Sequence, residues 1–385
     1  MVRGRKTMRA IVNGKLVQKD SILENKVLVF DNKIIDICDN VPNNCEIIDA
    51  KGYYISPGLI DIHIHGSSGA DVMDSTVEAI NTISSSIAKN GVTGYLPTTM
   101  SMKKEKIHSA FNAIKDTITN GYEGAKILGV HVEGPFINIS YKGAQNADFI
   151  VKPDFDLIKD YKDYIKIISL APEVDENFEF IKKVKNETDI TLSICHSNAT
   201  YDEAMDAIDN GVSNITHLFN GMSPLNHREP GVVGAAFASD TFTEIIADKI
   251  HVNKNVFQIV LNNKGKDKVV LITDSMRAAS MEDGEYELGG QAVFVKENSA
   301  RLKNGSLAGS VLTLNKAVLN YFENTKLDLH EAINLASINP AKSINIDDTK
   351  GSLEIGKDAD IAIFDENMNC YLTIVEGNIV YKNNL

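Results

Sequence analysis

Two histidines near the start of the chain, His63 and His65, are spaced for binding a metal ion. They end an apolar run, residues 60–65, that is typical of a β-strand. Side chains alternate between the two faces of a strand, so histidines separated by one residue point the same way. Two imidazoles on one face can bind one ion. The alternative is a pair of buried histidines with ordinary hydrogen bonds, and further ligands elsewhere would decide between the two.

Other histidines and acids end later apolar runs of the chain. These residues are Glu133, His196, His217, His251 and Asp274. Imidazoles and carboxylates together suit Zn²⁺, Fe²⁺ and similar divalent ions. None of them lies in a C-x-x-C or H-E-x-x-H motif, so a site would be assembled from distant segments. The alternatives are a solvated acid for Glu133 and ordinary core histidines for His196 and His217.

Asp274 and two neighbours of the candidate ligands have different predicted roles. A carboxylate beside the ion can take a proton from water and later donate it to a leaving group, which suits Asp274. The alternative for Asp274 is a helix N-cap. His131 precedes Glu133 by two residues and could be a metal ligand or a residue that hydrogen-bonds a ligand. We favour the second role. Cys195 is adjacent to His196, so strand alternation predicts a buried thiol on the opposite face.

The segments that must position these residues alternate between strand and helix patterns. Helical patterns occur at 77–89, 177–185, 201–209 and 256–261, and two more follow at 312–322 and 329–336. A hairpin is predicted at Asn304-Gly305. Alternation predicts a parallel sheet, and eight units predict an α/β fold of the (β/α)₈ barrel type. The eight candidate strands are 60–65, 91–98, 127–133, 165–171, 190–196, 213–219, 244–251 and 269–274.

The position of the candidate residues agrees with this barrel. Catalytic groups of such barrels gather at the C-terminal ends of the strands, which is where the histidines and acids fall. A doubly wound open sheet is the alternative, but no G-x-G-x-x-G follows an early strand. Both chain ends predict short antiparallel strands instead. We expect residues 1–57 plus 353–385 to form one small β-sandwich domain, and residues 58–352 to form the catalytic barrel.

Composition excludes several classes of partner. The 385 residues carry a net charge of −13, which argues against nucleic acid or an anionic membrane as the main partner. No run approaches the ~20 apolar residues of a membrane span. The first ten residues lack the apolar stretch of a signal peptide. The four cysteines have no disulfide-like spacing, so reduced thiols and a cytoplasmic location are predicted.

A phosphate site is indicated by residues 220–231, which follow the strand pattern ending in His217. Backbone N–H groups at Asn220 and Gly221, with the guanidinium of Arg228, would suit a phosphate monoester. The alternative is a local salt bridge between Arg228 and Glu229.

Taken together, these motifs resemble the N-acetylglucosamine-6-phosphate deacetylase family of the amidohydrolase superfamily over essentially the full length. Segments 57–66 and 351–360 resemble the superfamily's first strand and its return into the β domain. Lys166 lies at the beginning of the fourth strand, the wrong end for the carbamylated lysine of dihydroorotase-like enzymes. The segments that resemble the deacetylases more specifically are 131–136, 142–145, 216–231, 273–277 and 307–310.

The resemblance implies roles for individual residues. Glu133, His196 and His217 would be the main metal ligands, while His63 and His65 would complete a second position. One or two divalent ions per subunit, Zn²⁺ or Fe²⁺, are implied, with Asp274 as the acid and base. Gln145 stands where some members have a histidine that polarises the acetyl carbonyl. The substrate contacts implied are Gln145, Asn220, Gly221, His227, Arg228, His251, Leu307 and Ala308.

The implied reaction is metal-dependent hydrolysis of the acetamide of N-acetyl-D-glucosamine 6-phosphate to D-glucosamine 6-phosphate and acetate. A homodimer is also implied, serving amino-sugar catabolism or recycling. Three alternatives stay open at this stage. They are an N-acetylgalactosamine-6-phosphate deacetylase, another amidohydrolase such as an N-acyl amino acid deacylase, and a non-enzymatic scaffold.

Overall fold

A parallel barrel forms the centre of the computed structural model, which describes residues 8–383. Each barrel strand pairs in parallel with the next. The backbone N–H of Asp274 donates to the carbonyl oxygen of His63 at 2.9 Å, joining the last strand to the first. The prediction of a (β/α)₈ barrel is therefore confirmed. Its strands are Leu59–Ile64, Val92–Thr99, Val130–Glu133, Ile165–Leu170, Thr191–Ile194, Asn214–Ile215, Phe242–Ile246 and Val269–Ile272.

The helices surround this barrel, and local capping sets several of their ends. The hydroxyl of Thr200 accepts from the backbone of Glu203, whose carboxylate accepts in return, so a capping box begins the helix Tyr201–Asp209. The helix Gly231–Ala238 escaped prediction because it is apolar on nearly all sides and shows no amphipathic period. The helices are Val77–Ala88, Lys104–Asn120, Glu179–Glu187, Tyr201–Asp209, Gly231–Ala238, Lys254–Lys264, Leu314–Glu323, Leu329–Asn334 and Ile338–Ser343.

Two sheets built from both chain ends form a separate small β unit. One sheet has the strand order Ile34–Cys38, Val27–Phe30, Arg9–Val12, Glu46–Asp49. The other has the order Asn378–Lys382, Cys370–Val375, Ile361–Phe364, Tyr54–Pro57, Lys15–Val17, Ile22–Leu23. Buried side chains of both sheets, such as Leu28 and Ile361, share one core.

We propose domain boundaries after residues 57 and 352, because the strand Tyr54–Pro57 pairs with Ile361–Phe364 just outside the barrel. Residues 1–7, within the segment considered for a signal peptide, lie outside the described residues, as do 384 and 385. Within residues 8–383, no helix combines the length and apolar character that a membrane crossing requires.

A third, smaller sheet follows the last barrel strand, and its Leu288 lines the cavity at the C-terminal ends of the barrel strands. It consists of Gly284–Leu288, Gln291–Lys296 and Ser299–Leu302 in antiparallel order. The hairpin predicted at Asn304-Gly305 is present, because Arg301 pairs antiparallel with Leu307 and the N–H of Leu302 donates to the carbonyl of Ser306 at 2.9 Å. The sequence missed two earlier reversals, around Gly289-Gly290 and Glu297-Asn298, where positive φ angles allow tight turns. The remaining short strands are Gly66–Ser67, Ala70–Asp71 and Lys126–Ile127. Short 3₁₀ helices occupy Val72–Asp74, Ile139–Tyr141, Ala147–Phe149, Phe155–Leu157, Pro172–Val174 and Glu176–Phe178.

A buried ion cluster holds the segment that leads from the barrel back to the β unit. The Lys350 Nζ lies 2.6 Å from Asp360 Oδ2 and 2.9 Å from Asp358 Oδ2. The side chains of Lys350 and Asp360 are each only 6% exposed. Removing one partner of a buried pair leaves the other charge without compensation, which costs more than the pair itself contributes.

We therefore expect Lys350→Met to lower the free energy of unfolding by about 3–5 kcal/mol. Urea unfolding followed by circular dichroism measures this loss. Lys296→Met is the matched control, because Lys296 is 81% exposed and lies 3.9 Å from an exposed Glu297. Equal stability of the two variants would contradict the assigned role of the cluster.

Candidate metal centre and active site

Glu133 is the residue on which the candidate ligands converge. Its Oε1 lies 3.1 Å from His217 Nε2, 3.2 Å from His196 Nε2 and 3.7 Å from His63 Nε2. Its other oxygen, Oε2, lies 3.2 Å from His65 Nε2. All five side chains are buried. The C-terminal ends of four barrel strands thus bring these residues to one point.

The histidine hydrogen bonds show that the donor set fits a divalent ion. The Nδ1 of His196 donates to the carbonyl of Tyr141 at 2.7 Å, and the Nδ1 of His65 donates to the carbonyl of Thr98 at 3.1 Å. With Nδ1 carrying the proton, each Nε2 turns a lone pair towards Glu133. His63 Nε2 is buried without a hydrogen-bond partner. Lone pairs that face a carboxylate repel it unless a cation lies between them.

Two such ion positions share Glu133. One group consists of Glu133, Cys195, His196 and His217, and the other of His63, His65 and Glu133. Within each group, the possible ligand atoms lie within 4.8 Å of one another. The donors are nitrogen, oxygen and sulfur, which suit a borderline-soft divalent ion better than Mg²⁺ or Ca²⁺.

Electrostatics in the site favour a bound cation. Burial disfavours the charged form of His63, but the negative charges of Asp274, Glu244 and Glu133 raise the pKa of His63 to about 9. Burial likewise opposes ionisation of Glu133, yet the close approach of His196 and His217 holds its pKa well below the usual range. The carboxylates thus raise the pKa of His63, and the histidines lower the pKa of Glu133. The same carboxylates would attract a metal cation.

Asp274 lies across the site from the histidines of the fifth and sixth strands. Its Oδ1 is 3.2 Å from His65 Nε2 and 3.5 Å from His63 Nε2. Burial raises the pKa of Asp274, but the two neighbouring histidines outweigh burial and lower it to about 2. No helix of the described chain begins at Asp274, so the N-cap alternative is wrong. Its carboxylate lines the cavity in the ionised form.

Glu244 supports this centre and was missed in the sequence. Its Oε2 accepts from His63 Nδ1 at 3.1 Å and from the backbone N–H of His217 at 3.3 Å. Glu244 is buried on the seventh barrel strand, within the run 242–246. A single acid inside an apolar strand is the signal that could have identified it, because a buried carboxylate requires a partner.

Gln145 also holds a candidate ligand in place, and the ring of His131 packs against that of His63. Both ring nitrogens of His131 are engaged, with the carbonyl of Ile62 at 2.9 Å and the hydroxyl of Ser169 at 2.7 Å. The amide nitrogen of Gln145 donates to Glu133 Oε2 at 2.8 Å, and its oxygen accepts from the backbone of Ser101 at 2.7 Å. Both groups of the Gln145 amide are thus occupied in orienting Glu133.

The predicted direction of Cys195 was wrong. Its Sγ lies 3.6 Å from Glu133 Oε1 and 3.5 Å from His217 Nε2, on the side of the ligands. The fifth strand ends at Ile194, and His196 has a φ of 46°. Strand alternation therefore stops before Cys195, and the turn directs both neighbouring side chains into the site. The thiol is buried, as expected.

A cavity of about 210 Å³ opens onto the ligands. Of the predicted substrate contacts, Gln145, Asn220, Gly221, His251 and Leu307 line it. Ala308 is buried and lies outside the lining, which its neighbour Gly309 joins instead.

The sequence predicted that His251 lies at the end of a strand, and this prediction is wrong. The seventh strand ends at Ile246, and His251 follows in a loop. Its Nδ1 donates to Asp248 Oδ2 at 2.6 Å, which fixes the ring at the cavity wall. The structure places His227 and Arg228 elsewhere, on an exposed loop outside the cavity lining. Among residues 8–383, the structure contains no ion pair of Arg228, which argues against the local salt bridge with Glu229.

Comparisons with known proteins place this geometry in a family. Residues 54–380 match the model of the Amidohydrolase family. The chain belongs to the amidohydrolase family. N-acetylglucosamine-6-phosphate deacetylase from Bacillus subtilis (strain 168) is 39% identical over 378 residues, covering 95% of each chain. N-acetylgalactosamine-6-phosphate deacetylase from Escherichia coli O157:H7 is 32% identical, covering 95% of this chain and 97% of the relative.

Solved structures agree with this assignment. The crystal structure of N-acetylglucosamine-6-phosphate deacetylase from Pasteurella multocida superimposes with a TM-score of 0.92 at 32% identity, covering 98% of this chain and all of the other. Amidohydrolases generally use a divalent metal, in agreement with the donor set described above. This amidohydrolase is therefore an amide-hydrolysing enzyme, and the alternative of a non-enzymatic scaffold is wrong.

Because Glu244 orients His63, we expect Glu244→Leu to weaken binding at the ion position of His63 and His65 by about 10- to 100-fold. Glu244→Gln should lose less, since an amide oxygen still accepts from His63 Nδ1. Equilibrium dialysis with metal analysis measures both affinities. Glu285→Gln, on an exposed strand, serves as the control. An unchanged affinity in the leucine variant would refute the orienting role.

Proposed function

We propose that this chain hydrolyses the acetamide of N-acetyl-D-glucosamine 6-phosphate to D-glucosamine 6-phosphate and acetate, in amino-sugar catabolism or recycling. The observation that carries the proposal is the convergence of Glu133, His196 and His217 opposite Asp274 at one cavity. Relatives that bear the name of this deacetylase, at 38–39% identity over 93–95% of the chain, support the choice of substrate.

The metal would be held mainly by Glu133, His196 and His217, with His63 and His65 available for a second ion. When bound, a divalent ion supplies a Lewis acid for the amide carbonyl and lowers the pKa of nearby water. We propose Zn²⁺ or Fe²⁺, at one or two ions per subunit. A site of histidine and carboxylate ligands also accepts Mn²⁺ and Co²⁺.

Asp274 moves the proton in this proposal. Its ionised Oδ1, which lies 3.2 Å from His65 Nε2, accepts a proton from the attacking water. Asp274 then donates that proton to the amine nitrogen as the C–N bond breaks. Gln145, whose amide holds Glu133 Oε2, keeps the carboxylate oriented during the reaction. This assigns Gln145 to positioning Glu133, in place of polarising the acetyl carbonyl.

The phosphate end of the substrate would lie towards Asn220, Gly221, His227 and Arg228. Asn220 and Gly221 line the cavity, while His227 and Arg228 lie on the exposed loop 224–229. We propose a homodimer in which this loop of one subunit completes the cavity of the other. Exposure of Leu225, which is 55% accessible in the single chain, supports a covered position for the loop.

His251 and Leu307, both lining the cavity, would contact the sugar between the phosphate and the acetamide, with Ala308 supporting this wall from behind. Four free cysteines support a reducing, cytoplasmic compartment, and the net charge of −13 offers no general surface for nucleic acid or anionic membranes. The alternative substrate is N-acetylgalactosamine 6-phosphate, favoured by the 32% identical relative that is named for it.

The direct test is acetate release from N-acetylglucosamine 6-phosphate, with N-acetylgalactosamine 6-phosphate and unphosphorylated N-acetylglucosamine run alongside. We expect chelator-sensitive turnover of the first substrate. Asp274→Asn should abolish turnover and retain bound metal, because the amide cannot accept the proton. Near-normal kcat in this variant would refute the proton-transfer role, and turnover of the galactosamine sugar alone would favour the alternative substrate.

A second prediction concerns recognition of the phosphate by Arg228. Loss of the charge-assisted contacts in Arg228→Ala should lower kcat/KM for the phosphorylated sugar at least tenfold, the scale of about 1.4 kcal/mol or more for hydrogen bonds to a charged group. For unphosphorylated N-acetylglucosamine the loss should be small. Lys303→Ala, at an exposed position, controls for general charge effects. Equal losses on both sugars would contradict the phosphate assignment.

A further inference from the structure

The geometry points to a use for Cys195 that the proposed function does not require. We propose that its thiolate is a direct ligand of the ion held by Glu133, His196 and His217, and that it gives this site a preference for thiophilic metals. The inference rests on the proposed metal centre and is independent of the substrate.

The distances from the sulfur of Cys195 to His217 and Glu133 match the spacing of neighbouring ligands of one ion. Typical bond lengths of about 2.3 Å to sulfur and about 2.0–2.1 Å to nitrogen or oxygen place the sulfur about 3.5–3.6 Å from each neighbouring ligand atom. The same geometry spaces nitrogen and oxygen about 3.3 Å apart. The structure has 3.5 Å from Sγ to His217 Nε2 and 3.6 Å from Sγ to Glu133 Oε1. The two histidine nitrogens lie 3.1 and 3.2 Å from the same oxygen.

A hydrogen-bonded thiol explains the position of Cys195 less well than a ligand does. A core thiol usually packs against apolar side chains, as a small hydrophobic group. Here the sulfur instead lies against a carboxylate and an imidazole, whose other neighbours are also ligands. The nearby Nε2 of His63 is buried without a hydrogen-bond partner, and it lies 3.7 Å from the same oxygen of Glu133. Two independent groups therefore surround this oxygen as ligands of an ion would.

Coordination by Cys195 has a defined chemical balance and a consequence for metal choice. The thiol loses its proton to solvent as the sulfur–metal bond forms, and no oxidant or reductant takes part. Thiolate is a soft ligand that favours Zn²⁺, Co²⁺ and Cd²⁺ over Mn²⁺ and Mg²⁺. A site of Glu133, His196 and His217 alone discriminates less among these ions.

The test is the absorption spectrum of the full-length protein loaded with Co²⁺, without substrate. We expect a sulfur-to-cobalt charge-transfer band in the near ultraviolet that disappears in Cys195→Ser and Cys195→Ala. Cys370→Ser is the matched control, because Cys370 is also buried but lies in the β unit, and it should retain the band. Cobalt bound without this band in the unmodified protein would overturn the ligand assignment and leave the proposed deacetylase intact.

Competition between metals gives a second readout that a purely structural thiol would not alter. In Cys195→Ser, affinity for Zn²⁺ should fall by more than about tenfold, while affinity for Mn²⁺ should change little. Loss of a residue that only hydrogen-bonds a ligand already costs about tenfold, so loss of a ligand should cost more. Equal losses for both ions would mean that Cys195 only supports the site, which overturns direct ligation. Failure of the unmodified protein to bind any of these ions would overturn both this inference and the metal-dependent function.

Discussion

The buried carboxylate of Glu133 is the constraint on which the active site depends. An ionised carboxylate is costly to remove from water unless positive charge or hydrogen bonds compensate it. The barrel directs four histidines at its two oxygens, from 3.1 to 3.7 Å away. Because the Nδ1 atoms of His65 and His196 donate to backbone carbonyls, the Nε2 lone pairs converge on the carboxylate. A cation bound between the histidines and the carboxylate would supply the compensating positive charge.

A second layer of polar residues holds the ligands in these positions. Glu244 orients His63, Gln145 orients Glu133, and both ring nitrogens of His131 are occupied by the barrel itself. Such partners fix the direction of each donor before the ion binds, which reduces the reorganisation that binding would otherwise require. Other buried atoms of this centre, among them His63 Nε2, His217 Nδ1 and Glu244 Oε1, have no hydrogen-bond partner among the described residues.

The substrate end of the cavity has a different character. The ligands lie on or directly after barrel strands, where backbone pairing limits their movement. His251 is fixed instead by a local bond to Asp248 in a loop, and His227 and Arg228 lie on exposed backbone. Rigid strands for the chemistry and loops for recognition are the usual division in this fold, and they let related barrels act on different substrates.

The sequence by itself determined the barrel and the positions of most candidate ligands. Alternating strand and helix patterns predicted parallel strands, and His63, Glu133 and Asp274 could be assigned to strand ends because the C-terminal ends of such strands meet at one face. The likeness of particular segments to a known family then supplied the expected chemistry. Both inferences depend on local pattern and order along the chain, which are visible without coordinates.

Only the tertiary structure decided which side chains meet. Cys195 was expected to face away from the ligands. The fifth strand ends at Ile194, however, one residue before Cys195, and the turn at His196 directs the thiol towards Glu133. Glu244 passed unnoticed because its partner, His63, is 181 residues away in the sequence. The exposure of Arg228 likewise follows from loop packing, which has no periodic pattern. The alternation of side chains along a strand and the repeat of apolar residues along a helix each describe one segment. Contacts between distant segments depend on where each strand ends and how the barrel closes.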